Sequence, residues 1–132
     1  MDQAVLVSQG QALVRRLDET KVQPRAVMWV HQEDTDTWRL WIVPSSGVTD
    51  KREFYRIVAA TISAHADEMA GLDVGSTEYV ADDHPGMRGM GRFLRMPGIG
   101  SVRFSGNRFD DFYMPDGIVI RMDIAKPFLA AG

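Results

Sequence analysis

Leu6, Gly10, Leu13, Val14 and Leu17 recur at helical spacing and predict an amphipathic helix over residues 3–20. A glycine inside a helix is less favourable than alanine by about 1 kcal/mol. Its place on the apolar stripe points to close approach of another element at Gly10. Pro24 ends the segment, because the residue before a proline is pushed out of the helical region.

The pattern then changes period. RAVMWVHQ and TWRLWIVP are two β-rich runs joined by the polar turn Glu33-Asp34-Thr35-Asp36. If Gln32 pairs with Thr37, one face of the hairpin holds Val27, Trp29, His31, Trp38, Leu40 and Ile42. The other holds Ala26, Met28, Val30, Arg39, Trp41 and Val43. Both faces are apolar, unlike a hairpin with one wet side. Helices are expected on one face, and a loop, a subunit or a ligand on the other.

A second helix is predicted over residues 50–70. Asp50 followed by Glu53 is a capping-box variant, and Phe54, Ile57, Val58, Ile62 and Met69 form the stripe, with His65 among them. Gly71 is a natural stop. TEYVA at 77–81 reads as a short strand. Residues 87–99 hold too many glycines and prolines for a regular element. Val102–Ser105 and Arg108–Met114 read as strands around Gly106-Asn107.

A last hairpin is expected at Met114-Pro115-Asp116-Gly117. With Pro115-Asp116-Gly117 as a three-residue loop, Phe112, Met114, Ile118, Ile120, Met122 and Ile124 share one face. Asp111 then stands opposite Arg121, and Asp110 lies at the edge of the apolar face. The expected fold is a single α+β domain spanning residues 1–132. It consists of an antiparallel sheet of about five or six strands with two amphipathic helices packed on one face.

Composition narrows the setting. The chain has no cysteine, which removes disulfides and thiolate chemistry and fits a reducing, cytoplasmic location. No apolar run approaches the roughly 18 residues of a membrane span, and the N-terminus does not have the form of a signal peptide. No membrane association is expected.

Charge changes the picture more. Between His84 and Arg108 the chain carries five arginines, six glycines and no acidic residue. Formal net charge is −3 overall, so the remainder carries −8, ten basic residues against eighteen acidic. Asp82-Asp83 and Asp110-Asp111 bracket the segment. Arg88, Arg92, Arg95, Arg103 and Arg108 are therefore the candidate anion- or partner-binding residues, with Phe93 and Phe104 as stacking faces. Arginines among glycines let guanidinium forks and backbone amides approach an anion together. The alternative is a surface loop whose arginines pair with the chain's own surplus carboxylates.

Sharper motifs do not fit. Arg88–Met96 lacks the stacking aromatics of the RNA-recognition octamer. Gly86–Gly91 does not have the dinucleotide-binding order, and no P-loop lysine follows. Asp34-Thr35-Asp36 reads as a turn. No serine sits in a nucleophile elbow. His65 and His31 read as packed residues. His84, in a loop beside Asp82 and Asp83, has the residue types of a metal ligand or of a base with an orienting carboxylate, but no second histidine or carboxylate stands nearby at ligand spacing.

Trp41 beside Arg39 is the interface candidate, since tryptophan and arginine are enriched in binding hot spots. The leading expectation is a non-enzymatic accessory protein acting through protein–protein contact, as a homodimer or on a larger partner. A nucleic-acid-binding protein using residues 84–108 is the first alternative. The second is a small phosphate-handling enzyme drawing a His/Asp pair from His65, His84, Asp82, Asp83 and Asp110. No catalytic residue, cofactor or metal ligand is assigned.

Overall fold

The computed structural model describes residues 2–109 and 111–124. Helix α1 (Gln3–Leu17) is followed by strands β1 (Ala26–Gln32) and β2 (Thr37–Val43), then helix α2 (Lys51–Ala64). Strand β3 (Thr77–Tyr79), helix α3 (Pro85–Phe93), and strands β4 (Val102–Phe104), β5 (Asn107–Phe109), β6 (Phe112–Met114) and β7 (Gly117–Met122) complete the order. The fold is α+β. Five strands form one sheet in the order β3-β2-β1-β7-β4, while β5 and β6 form a separate two-stranded sheet.

The hairpin β1–β2 has the expected register, Gln32 opposite Thr37. The sheet is mixed rather than purely antiparallel, because β3 runs parallel to β2. Parallel neighbours need a crossover, and α2 supplies it. No helix among the described residues is long and apolar enough to cross a membrane.

Helices α1 and α2 pack on the same sheet face. Leu6, Leu13, Leu17, Phe54 and Val58 meet Val27, Trp29, Leu40, Ile42, Ile118 and Ile120 there. Gly10 is needed at this contact. A Cβ on it would lie 3.0 Å from Ile120 Cγ1 and 3.2 Å from Trp29 Nε1. The Trp29 indole N–H donates to the Leu6 carbonyl at 2.6 Å, fixing α1 to the sheet through a satisfied buried donor. The Asp50 carboxylate accepts from the Arg52 N–H and caps α2. That helix ends at Ala64, short of the expected residue 70. The chain continues as a tighter turn over Ala66–Glu68 and reaches Gly71 with φ of +83°.

The C-terminal third departs most from expectation. Strand β7 pairs with β1 and β4, and β6 pairs only with β5. Neither the hairpin at Gly106-Asn107 nor the one at Pro115–Gly117 forms, and Asn107–Phe109 pairs with Phe112–Met114 instead of the two making one strand. The expected single apolar face is divided. Ile118 and Ile120 belong to the α1/α2 side, while Met114 and Met122 belong to the other. A register shift explains Met122. Val27 faces Arg121 while Met28 faces Val119, so a bulge at Ile120 breaks the alternation. Arg121 does not meet Asp111. Its guanidinium donates to both Asp18 oxygens, at 2.7 and 2.9 Å, and to the Pro24 carbonyl. Asp110 lies outside the described residues.

Candidate functional site

The second sheet face is covered by the chain itself. Ala26, Met28, Val30, Trp41, Val43, Val119 and Met122 are buried under Met87 and Met90 of α3 and Phe109 and Met114 of the β5–β6 hairpin. Helix α3 falls where glycines argue against a helix. Its pattern is nonetheless helical: Met87 and Met90 face the sheet, while Arg88 and Arg92, one turn apart, face out. Pro85 at the first turn is preorganised for the helix and gives up an N–H that would have had no helical partner.

The glycines serve packing. A Cβ on Gly89 would run into the Phe109 ring, and one on Gly86 would come within 2.8 Å of Met114 Sδ and 3.1 Å of Phe112. The missing side chains let the hairpin aromatics lie on the helix backbone. The idea that backbone amides of a glycine-rich loop cradle an anion does not apply to residues 86–91, which are helical.

His84 is the N-cap of α3. Its Nδ1 accepts from the Gly86 N–H at 3.0 Å, which requires that nitrogen to be unprotonated. The ring sits edge-on to Trp41 and Phe112, with centroids 4.9 and 5.0 Å away. Burial lowers the His84 pKa below the ordinary histidine value, opposed by the Glu78 and Asp83 carboxylates. The Trp41 indole N–H is buried with no partner among the described residues. His84, Trp41 and Phe112 thus form one aromatic contact holding the start of α3 on the sheet.

A groove of about 400 Å³ opens on the outer side, between α3 and the hairpin. Arg88 and Arg92 stand on its helix wall, Phe109 and Phe112 line it, and Asp111 lies on the hairpin side. Phe93 follows directly. It is 77% exposed and stacks on Phe109 at 5.8 Å.

The five arginines do not converge. Arg88 and Arg92 share the groove. Arg95 is 3.4 Å from Asp123. Arg103 pairs across the sheet with Ile118, so it belongs to the opposite face, at the edge strand. Arg108 pairs with Tyr113, on the side of the hairpin away from the Phe109–Phe112 pair that meets α3. Among the described residues, Arg88, Arg92, Arg103 and Arg108 make no ion pair; of the two carboxylates that precede the segment, Asp82 is paired with Arg25. Phe104 is half-buried against the same core as α3.

Trp41 and Arg39 are occupied within the chain. Trp41 is 8% exposed, and its face is covered by α3 and the β5–β6 hairpin of the same chain. Arg39 donates to Glu78 and to the carbonyls of Gly75 and Thr77, tying the β3 edge to β2. The acid–base candidates are likewise dispersed. His65 lies 3.7 Å from Glu68, and Asp82 pairs with Arg25. His84 is a helix cap. Among the described residues, no three histidine, aspartate or glutamate side chains gather as metal ligands.

No protein-family model, no curated protein and no solved structure matches this chain.

Proposed function

We propose that this is a non-enzymatic binding protein that works through protein–protein contact, and that the layer built from α3 and the β5–β6 hairpin is its contact surface. One observation carries the reading. The large exposed hydrophobic residues among those described are Phe93, Ile99, Val102 and Tyr113; the first three fall in the 84–108 stretch that also carries the arginines, and Tyr113 is on the β5–β6 hairpin. Exposed aromatic residues beside arginines have the composition of interface anchors. Trp41 and Arg39 are not part of this surface.

Nucleic acid is the weaker occupant. Backbone-tracking proteins align many cations along one strip, whereas here Arg103 and Arg108 point away from Arg88 and Arg92. Asp111 also sits in the groove, where it would repel a run of phosphates.

A photo-reactive amino acid at position 93 tests the reading in the cells that make the protein. Position 56 on α2 is the control, since the Arg56 side chain is 68% exposed. Protein adducts are expected from position 93, lost on R88A/R92A, with none from position 56. No adducts from position 93, or equal adducts from both positions, overturns the proposal. Adducts to nucleic acid at position 93 would replace it with the second reading.

A further inference from the structure

We infer that the groove between α3 and the β5–β6 hairpin takes a short peptide segment presenting one carboxylate beside a bulky apolar side chain. This rests on the binding reading above and names the chemistry of the occupant. Arg88 and Arg92 are four residues apart on a helix, so their stems rise from points about 6 Å apart along the axis. Two guanidinium groups at that spacing can close on a single carboxylate, and planar forks match its two oxygens.

The rest of the groove is not built for a charge. Phe109 lies on the bare backbone of Gly89, and Phe112 is held by its edge contact with His84. These rings offer an apolar floor next to the arginine wall. The groove, about 400 Å³, suits one large side chain and its neighbour. Phe93 extends the aromatic surface at its end through the stack on Phe109.

Asp111 decides among anionic occupants. It lines the same groove as the arginines and opposes a second negative charge there. A polyanion would have to pass it. A peptide instead has backbone N–H groups to donate to it. One anion, one apolar group and a donor-bearing backbone together describe an acidic–aromatic or acidic–aliphatic peptide.

The experiment is a display selection of random short peptides on the purified full chain, followed by fluorescence polarisation with a synthetic peptide of the selected sequence. Enriched peptides are expected to carry Asp or Glu next to, or one removed from, Phe, Trp, Leu or Met. R88A/R92A is expected to weaken the synthetic peptide by at least about tenfold, as loss of a charge-assisted contact requires. Replacing the peptide's carboxylate by its amide is expected to do the same. R56A is expected to leave binding unchanged. Arg88 and Arg92 are exposed, and circular dichroism checks that their variants fold.

No enrichment, enrichment without an acidic residue, or equal binding by R88A/R92A overturns the inference. So does displacement of the peptide by a single-stranded oligonucleotide at lower concentration than by unlabelled peptide. Adducts from position 93 together with failed peptide enrichment would leave the binding surface standing and remove only this occupant.

Discussion

The two faces of the sheet are closed by different materials. On one, α1 and α2 bring branched and aromatic side chains: Leu6, Leu13, Leu17, Phe54 and Val58 are each 1% exposed or less. On the other, α3 is a nine-residue helix that meets the sheet through methionines, with glycines pressed against the hairpin aromatics. Methionine fills irregular gaps but specifies packing less tightly than leucine or isoleucine. Glycine lowers helix propensity. The first layer reads as a core whose outside is ordinary. The second is a thinner cover whose outside holds exposed Phe93, a groove and the arginines Arg88 and Arg92, which form no ion pair among the described residues. Local stability and binding function are often separated in this way, with binding elements drawn from the less stable part.

Phe54→Ala in the first layer should show the largest effect, about 4 kcal/mol of lost stability, since it opens a large cavity at a fully buried aromatic. Denaturant unfolding followed by far-ultraviolet circular dichroism measures it. The transition should shift as a whole.

Gly89→Ala sharpens the comparison. The added methyl meets the Phe109 ring, and overpacking of this kind costs about 2–3 kcal/mol. The expected damage is confined to the second layer and should be partly reversed by Phe109→Leu in the double variant. A Gly89→Ala protein as stable as the parent would mean that the hairpin does not sit on α3.

Much of this contrast is legible in the sequence, though unevenly. The hairpin register, the two apolar faces of β1–β2 and the α1 stripe all follow from residue spacing, because each is a local pattern with several repeats. Helix α3 is hidden because glycine content argues against it, while Met87, Met90, Leu94 and the Arg88/Arg92 pair carry the helical period with Pro85 at its start. The pairing of β7 with β1 and β4 is nonlocal, and turn chemistry at Asn107 and Pro115–Gly117 favours hairpins that do not form. The arginines are visible as a charge cluster, but their separation depends on strand partners. Phe109 and Phe112 as groove residues, and His84 as a cap, carry no signal beyond their helix- and strand-side neighbours.

His84 should make the second layer sensitive to acid. Its pKa is depressed in the fold, so the unfolded chain binds the proton more tightly. Its contribution is therefore fully present above the unfolded value of about 6.5 and is lost as pH falls through the lower folded value. Stability should decline on acidification from neutrality, with Trp41 fluorescence reporting release of α3. His84→Asn keeps a capping acceptor and should flatten that decline; His84→Ala should cost about 1 kcal/mol at neutral pH as a lost cap. A decline of the same size in His84→Asn would place the titration elsewhere.

Phe93→Ser should have the smallest effect on folding, about 0.5 kcal/mol, because the side chain is 77% exposed and gives up an outward-facing stack on Phe109. Its effect on partner binding should be large. A strong loss of stability would make Phe93 a structural residue and move the interface away from α3.

Native-state hydrogen exchange on the purified protein compares the two layers most directly. Amides of α3 that donate within the helix, such as Arg88 to the His84 carbonyl at 2.9 Å, are expected to be protected but to exchange faster than those of α2. That result would mean the chain covers its own second face with a separable, weaker layer. Unprotected α3 amides would show that the cover needs a partner, and protection equal to that of α2 would erase the difference between the two faces.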